Sequence, residues 1–274
     1  MKAVAEEISG LVEWLREKKK ESGAKGFVVG VSGGVDSAVA AALVKKAAPE
    51  ESAGLILPCF SSAEDVEDAL LVCRSLGLFY VVYDLAAAHQ AVFPGLLQEV
   101  ALRALPSEQG REKRPEGAGL KPALAAAALE PQKKRMTDAN LRARLRMCAL
   151  YTVANALDYL VVGTDNAAEV YCGYFTKYGD GGVDLLPLAQ FKKREVRLLA
   201  KELGIPQRII NRPPSAGLWP GQTDEEEMGV TYDHIDDFLE GKPIPEEARQ
   251  RIERLHRATE HKRHLPPVYP RGRK

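Results

Sequence analysis

Short apolar runs alternate with helical patterns along most of the chain, and this alternation constrains the fold more than any other feature. Runs typical of buried strands lie at residues 26–31, 55–57, 78–83 and 159–162. Segments with helical spacing lie at residues 4–20, 37–47, 61–76, 86–105 and 140–156. Strands that alternate with helices form crossover connections. The sequence therefore predicts an α/β fold, a single-domain doubly wound parallel sheet with helices on both faces.

Two stretches depart from this alternation. Residues 106–135 are rich in Ala, Glu, Lys, Arg, Pro and Gly, and we expect them to form a mobile insertion within a single domain, 1–274. Residues 213–221 are expected to form a second loop. A helical pattern follows at residues 245–261, and the Pro-rich tail, residues 265–274, is expected to pack little.

The charge balance narrows the classes of partner. The sequence has 38 basic and 38 acidic residues, so we expect no broad electrostatic contact with nucleic acid or a membrane, although a local basic pocket for phosphates is compatible with it. No apolar stretch approaches the roughly 18 residues that span a membrane, and the start lacks the features of a signal peptide, so we expect a cytoplasmic protein. The four cysteines lack metal-binding spacing and are expected to be reduced thiols.

The strongest functional signal is the run Gly30-Val-Ser-Gly-Gly-Val-Asp-Ser37, which lies between the first predicted strand and the next helix. Glycines allow a close approach of the backbone, and helix-start amides with the hydroxyls of Ser32 and Ser37 can bind phosphate oxygens. Asp36 stands where a Walker A loop has lysine, and a carboxylate repels phosphate unless a divalent cation lies between them. The run therefore predicts a cradle for Mg²⁺ and pyrophosphate. A turn in which Asp36 and Ser37 only cap the helix is the alternative.

Further candidates follow the fourth predicted strand. Thr164 and Asp165 are expected at the carboxyl edge of the sheet, on the same side as the glycine-rich run. Glu169 is a candidate second metal ligand, although a solvent-facing glutamate near a helix start would give the same pattern. Residues 175–182, around Lys177, are too glycine-rich for a regular element and suit a loop that folds over a ligand.

Two basic segments complete the set of candidates. Arg144 lies on the helix predicted from Asn140, and its neighbours Arg142 and Arg146 are expected to be exposed. A second basic run opens an amphipathic helix and is typical of a solvated face, an interpretation that we keep for all of its residues but Lys193.

The run at residues 32–37 resembles the loop of the ATP pyrophosphatases, and longer blocks resemble the NAD⁺ synthetase family. These blocks are Asn140-x-x-Ala-Arg144, Gly163-Thr-Asp-Asn-Ala-Ala-Glu169, residues 173–187, residues 232–241 and Glu260-His-Lys-Arg263. They follow the order of the family and span most of the chain. The resemblance implies the Rossmann-like fold of the ATP pyrophosphatases.

The resemblance also implies roles for individual residues. It places ATP on Gly30, Val31, Ser32, Gly33, Gly34, Val35, Asp36, Ser37, Thr164, Lys193 and Ser215. It assigns deamido-NAD to Arg144, Lys177, Asp184, His261 and Lys262. It assigns Mg²⁺ to Asp36 and Glu169, and catalysis to Asp36, Lys177 and Lys193.

The reaction that the resemblance implies is the amidation of deamido-NAD to NAD⁺, with ATP as co-substrate. The substrate carboxylate forms an acyl adenylate and releases pyrophosphate, and ammonia then displaces AMP. A chain of 274 residues has no room for the glutaminase domain of glutamine-dependent members, so free ammonia is expected unless a separate glutaminase subunit docks. The family also implies a homodimer.

Three positions depart from the usual family pattern: Asn166 replaces histidine, Ser215 replaces threonine and Gly217 replaces aspartate. Two alternatives stay open. The same loop serves tRNA-modifying thiolases and deazaguanine synthases, which tend to need a basic surface or cysteine clusters that this sequence lacks. A nucleotide-binding module without catalysis is the second alternative, but it would not require both halves of the site.

Overall fold

The computed structural model describes residues 2–104, 130–215 and 223–271. The predicted insertion, residues 106–135, lies outside the described residues as far as position 129. Gly217 and most of the predicted loop at residues 213–221 also lie outside them. In the described part of the chain, no helix is both long and apolar enough to cross a membrane.

Four parallel strands form the sheet at the centre of the fold, in the order β3-β2-β1-β4. They are β1 (Gly26–Gly30), β2 (Ser52–Ile56), β3 (Phe79–Val82) and β4 (Tyr159–Val162). The predicted fold class is confirmed. Strand β2 begins earlier than predicted because Ser52, Ala53 and Gly54 pair with β1 although they are not part of an apolar run.

The helices follow the predicted alternation. Up to strand β4 they are α1 (Lys2–Ser22), α2 (Val35–Ala47), α3 (Ala63–Leu76), α4 (Ala86–Ala104) and α5 (Pro131–Leu157). After it come α6 (Ala167–Cys172), α7 (Lys193–Glu202), α8 (Gln207–Asn211), α9 (Asp224–Met228), α10 (Tyr232–Leu239), α11 (Glu246–Ala258) and a 3₁₀ turn (Glu260–Lys262).

The start of helix α5 differs from the predicted boundary. The helix begins at Pro131 rather than at Asn140, so residues 131–135 of the predicted insertion are helical. Proline suits the first turn of a helix, where its missing N–H would have no partner. The added turns were missed because they carry mostly polar residues, which leave no apolar periodicity, and most of the side chains that the structure describes there are exposed.

Hydrophobic side chains cover both faces of the sheet because successive residues of a buried strand point to opposite sides. On one face Phe27 and Val29 pack in a cluster that includes residues of α1, α2, α7 and α8. On the other face Val28 packs with residues of α5. A third cluster, around Ile235 and Ile252, joins α6, α10 and α11 beside the sheet.

Both ends of α3 are capped. Ser62 and Asp65 form a capping box at its start. The hydroxyl of the neighbouring Ser61 instead accepts hydrogen bonds from the N–H of Cys59 and from Arg146. Gly77 ends the helix in the left-handed conformation.

The cysteines are free thiols. Cys59, Cys73 and Cys172 are buried, whereas Cys148 is exposed. Burial raises the pKa of Cys73 and of Cys172 to about 12, so both stay protonated at neutral pH. The described residues therefore agree with the expectation of structural thiols.

Replacing Gly33 by alanine should lower the free energy of unfolding by about 1–3 kcal/mol. Gly33 has a φ of +87°, and an added Cβ would lie 2.8 Å from the Cβ of Asp68 and 2.9 Å from the carbonyl oxygen of Asp65. Gly34→Ala is the matched control, since its φ is −84° and its Cβ would meet only the hydroxyl of Ser32, at 3.4 Å. Urea denaturation of both variants measures the difference, and equal losses would contradict the steric argument.

Candidate active site

The glycine-rich run forms the turn between β1 and α2. The hydroxyl of Ser37 accepts a hydrogen bond from the N–H of Ser32 at 3.2 Å and donates one to the carbonyl of Gly34 at 2.9 Å. Gly34 is the N-cap residue of α2, and no side chain caps the helix. This geometry argues against a turn in which Asp36 and Ser37 serve only as caps.

Lys193 brings two carboxylates together at the carboxyl edge of the sheet. Its ammonium lies 2.5 Å from Oδ2 of Asp36 and 3.3 Å from Oε1 of Glu169. Asp36 follows β1, Glu169 follows β4, and these two strands are neighbours in the sheet. The strand order reverses here, which is where ligands bind in open α/β sheets.

Burial and neighbouring charges shift the pKa values of Lys193 and Glu169. Lys193 is 2% exposed, and burial alone would lower the pKa of its ammonium, but the charges of Asp36 and Glu169 outweigh burial and raise it. Burial raises the pKa of Glu169 to about 7, although Lys193 acts in the opposite direction. Lys193 is therefore a cation at neutral pH, held between two acidic groups.

Asn166 connects the two carboxylates through the backbone. Its side-chain oxygen accepts hydrogen bonds from the N–H groups of Ala168 and Glu169, which caps α6, and its amide nitrogen donates to Oδ1 of Asp36 at 2.9 Å. The carboxylate of Glu169 accepts in turn from the N–H of Asn166. Asn166 is fully buried, so this departure from the usual family pattern is part of the site.

Tyr232 and Asp224 extend the network on the side of Glu169. The hydroxyl of Tyr232 contacts Oε1 of Glu169 at 2.8 Å and Oδ2 of Asp224 at 3.1 Å. The hydroxyl of Tyr174 contacts Asp224 at 3.1 Å and Glu227 at 2.8 Å. These residues were not predicted as site residues, although the acidic run after residue 223 and the tyrosine of the block at residues 232–241 were available signals.

Asp236 fixes the start of α7. Its carboxylate accepts hydrogen bonds from the N–H groups of Lys193 and Arg194, at 3.2 and 3.0 Å. A carboxylate at a helix start is favoured by the helix dipole and by the unpaired amides of the first turn. Asp236 thereby positions Lys193 without contacting its ammonium.

A cavity of about 520 Å³ opens above these residues. The glycine-rich turn, the end of β2, helix α5 and the segment around Phe175 contribute to its wall. Its lining includes twelve of the predicted site residues: Gly30, Val31, Ser32, Gly34, Val35, Asp36, Ser37, Thr164, Glu169, Lys193, Ser215 and Lys262.

Other residues predicted to bind deamido-NAD lie outside the cavity lining. A guanidinium nitrogen of Arg144 donates to the carbonyl of Lys177 at 3.3 Å, and the ammonium of Lys177 donates to the carbonyl of His261. Asp184 accepts from the N–H of Val161 at 2.8 Å and from the hydroxyl of Tyr151. Their assignment to a ligand stays a prediction.

The prediction that Arg142 and Arg146 are exposed was wrong. The side chain of Arg142 is 13% exposed and pairs with Asp138 at 2.5 Å. Arg146 is half-buried and lines the cavity. The loop after β2 covers both residues, because Arg142 donates to the carbonyl of Cys59 and Arg146 to the carbonyl of Leu57.

Comparison with known proteins identifies the family of the chain. A profile of the NAD synthase family matches residues 7–112 and 118–266. The chain belongs to this family. An NH(3)-dependent NAD(+) synthetase of Alkaliphilus oremlandii (strain OhILAs) is 51% identical over 264 residues, which are 96% of each chain.

Solved structures show the same architecture. The NMN synthetase of Francisella tularensis superposes with a TM-score of 0.83 at 38% identity, over 97% of this chain and 98% of that one. The NAD⁺ synthetase of Burkholderia pseudomallei superposes with a TM-score of 0.69 at 31% identity, over 96% and 91%. The fold is therefore that of NAD synthetases.

Acidic side chains outnumber basic ones in the described lining of this family site. The acidic residues are Asp36, Asp65, Asp165, Glu169, Asp180, Asp224 and Glu227, and the basic ones are Arg146, Lys193, Arg212 and Lys262. Burial, with the nearby charges of Asp180, Glu169 and Asp36, raises the pKa of Asp165, which is 5% exposed. The lining therefore has more acidic than basic side chains, and burial opposes the ionisation of Asp165.

Replacing Lys193 by glutamine should lower the free energy of unfolding by about 3–5 kcal/mol, because two shielded carboxylates lose their cation. Lys192→Gln is the matched control. Lys192 is the preceding residue, its side chain is 21% exposed and it pairs with Glu195 and Glu240 at 3.1 Å. Its replacement should cost about 0–1 kcal/mol. Chemical denaturation at neutral pH gives both values, and similar losses in the two variants would contradict the central role of Lys193.

Proposed function

We propose that this chain catalyses the ATP-dependent amidation of deamido-NAD by ammonia. The observation that carries the proposal is the meeting of Asp36, Glu169 and Lys193 beside the glycine-rich turn. Membership of the NAD synthase family and the printed activity of the Alkaliphilus relative support the same reaction. A module that only binds nucleotides would not need a buried lysine between two carboxylates.

The reaction requires the protein to align the substrates and to neutralise the charge of the phosphates. It requires no covalent nucleophile. The nicotinate carboxylate attacks the α-phosphorus of ATP, and the bond to the pyrophosphate breaks. Ammonia then attacks the acyl carbon of the adenylate, and AMP leaves. In this proposal the amides of the glycine-rich turn bind the leaving pyrophosphate, and the ammonium of Lys193 contacts the phosphates when ATP is bound.

The donor set at Asp36 and Glu169 fits Mg²⁺. Carboxylate oxygens are hard ligands, and Mg²⁺ in nucleotide enzymes takes one or two of them with phosphate oxygens and waters. Among the described residues no group of three acidic, histidine or cysteine side chains has the geometry of a metal site. Phosphate oxygens of ATP and waters would be the further ligands, as is usual for Mg²⁺ in nucleotide enzymes. When bound, Mg²⁺ neutralises phosphate charge near the excess of carboxylates in the lining.

The decisive experiment is an assay for AMP with the purified chain. AMP should form only when deamido-NAD, ATP, Mg²⁺ and an ammonium salt are all present, and pyrophosphate should then form in equal amount. Without the ammonium salt, pyrophosphate should not exceed about one equivalent per active site, because the acyl adenylate is not consumed. Asp36→Asn should lower kcat by about 100-fold or more, because the metal loses a charged ligand. Asp233→Asn, at an exposed position of α10, is the control. ATP binding without AMP formation would instead favour a nucleotide-binding module.

A second candidate substrate is nicotinic acid mononucleotide, which carries the same carboxylate. It is favoured by the structural match to a protein named NMN synthetase, with a TM-score of 0.83 against 0.69 for the Burkholderia NAD⁺ synthetase. We expect kcat/KM to be higher for the dinucleotide, since the curated relative is a NAD(+) synthetase. Parallel assays with the two substrates measure this ratio, and a higher value for the mononucleotide would reverse the assignment.

We also propose that the active species is a cytoplasmic homodimer that uses free ammonia. Arg144, Lys177, Asp184 and His261 lie outside the cavity lining, which fits a dinucleotide site completed by a second subunit. Light scattering during size-exclusion chromatography measures the mass in solution. Initial rates with ammonium chloride and with glutamine identify the nitrogen donor, and a glutamine-dependent rate would require a glutaminase partner.

A further inference from the structure

Arg146 differs from two other cations of the cavity in having no ion-pair partner among the described residues. Lys193 lies between two carboxylates at 2.5 and 3.3 Å, and Arg212 pairs with Asp68 at 2.9 Å and also with Asp65. Within the described ranges of the chain, no carboxylate oxygen lies within 4.0 Å of the Arg146 guanidinium. Its charge is therefore not balanced by a direct contact.

Lys262 also lines the cavity, but its ammonium is directed to the backbone. It donates to the carbonyls of Gly173 and Phe175, at 2.8 and 2.6 Å, and the family resemblance already assigns it to deamido-NAD. No role follows for Arg146 from that resemblance. Arg146 is thus the cation of the cavity whose charge remains to be explained.

The hydrogen bonds of Arg146 leave part of the guanidinium available. Its Nε donates to the carbonyl of Leu57 at 3.0 Å, and one terminal nitrogen donates to the hydroxyl of Ser61 at 3.3 Å. A guanidinium has more N–H donors than these two bonds use. Both partners are neutral and lie just after β2, so they orient the group without neutralising it.

Burial makes this arrangement costly in the absence of an anion. Burial lowers the pKa of Arg146, since a charged group loses hydration when it is shielded from water. An arginine nevertheless stays protonated in proteins. An anionic oxygen in the cavity would compensate the charge, and a planar guanidinium is suited to phosphate and carboxylate groups.

We propose that Arg146 is an anion-binding residue of the substrate cavity, and that its guanidinium binds a phosphate or carboxylate oxygen of a nucleotide held beside the end of β2. The inference rests on the proposed function, which supplies two anionic nucleotides as ligands. ATP and deamido-NAD share this chemistry, and separate binding measurements distinguish them.

Arg142 provides a matched control for a purely structural role. It lies one turn earlier on α5 and binds the same loop, through the carbonyl of Cys59 at 3.4 Å and over the ring of Phe60. It differs in pairing with Asp138 and in lying outside the cavity lining. If Arg146 only holds the loop, replacing either arginine should change the affinity for nucleotides to the same extent.

The test is isothermal titration calorimetry of the whole chain with ATP and Mg²⁺, and separately with deamido-NAD, so that no turnover occurs. Arg146→Gln should weaken the affinity for one of the two nucleotides by about 10-fold to 100-fold, the loss expected for a hydrogen bond to a charged group. Arg142→Gln should weaken either affinity by less than about threefold. Arg146→Lys, which keeps the charge, should restore part of the loss. The nucleotide affected identifies the anion.

Different results would overturn the anion-binding role and the proposed function. Equal losses in Arg142→Gln and Arg146→Gln, or unchanged affinity for both nucleotides, would overturn the anion-binding role. If the wild-type chain bound neither nucleotide, the proposed function itself would fail. If Arg146→Gln did not fold, Arg146→Lys at unchanged Tm would decide: an affinity for one nucleotide weakened about threefold or more supports the role, and full affinity for both overturns it.

Discussion

The ion pairs of Lys193 with Asp36 and Glu169 are the constraint on which the site depends. The three residues lie on separate segments, since Lys193 is 157 positions from Asp36 and 24 from Glu169. Shielded charges are stable only when they are paired, so the turns after β1 and β4 must meet the start of α7. The parallel sheet makes this possible because β1 and β4 are neighbours and end at the same edge.

A shell of hydrogen bonds holds the three charges in place. Asn166 connects Asp36 to the first turn of α6, Tyr232 contacts Glu169, and Asp236 binds the amides at the start of α7. Each of these side chains is buried. Buried polar networks are stabilising when every member is satisfied and costly when one is lost. The shell therefore explains why the third hydrophobic cluster, which carries Tyr232 and Ile235, is built beside the carboxyl edge of the sheet.

Local patterns predicted the parts of this structure that depend on neighbouring residues. The sheet and the glycine-rich turn after β1 follow from apolar periodicity and from backbone conformations that glycine allows. Lys193 was selected from its basic run through the family resemblance, because a lysine at a helix start is otherwise typical of a solvated face. Its burial depends on carboxylates far away in sequence, which no local pattern contains.

Helix α5 shows where local reasoning failed. Arg146 lies beside residues that suggested an exposed face, but the loop after β2 folds over that face. A side chain on an amphipathic helix is exposed only if no other segment covers it, and coverage is a property of the tertiary fold. The same limit applies to Tyr232, whose position in the sequence does not show that its hydroxyl reaches Glu169.

The length of α5 restricts where evolution can add or remove residues. At roughly 1.5 Å per residue its 27 residues extend about 40 Å, whereas the four residues of β4 extend only about 13 Å. Ala154 packs against the sheet, while Asn140, Ala143 and Met147 line the cavity. The same helix therefore makes the contact with the sheet and forms part of the cavity wall. A single residue inserted between these regions would rotate the cavity face by about 100° relative to the sheet. Turns added at the start of the helix would leave that alignment intact, so we expect insertions to be tolerated there and to disrupt the site when they fall in the middle of the helix.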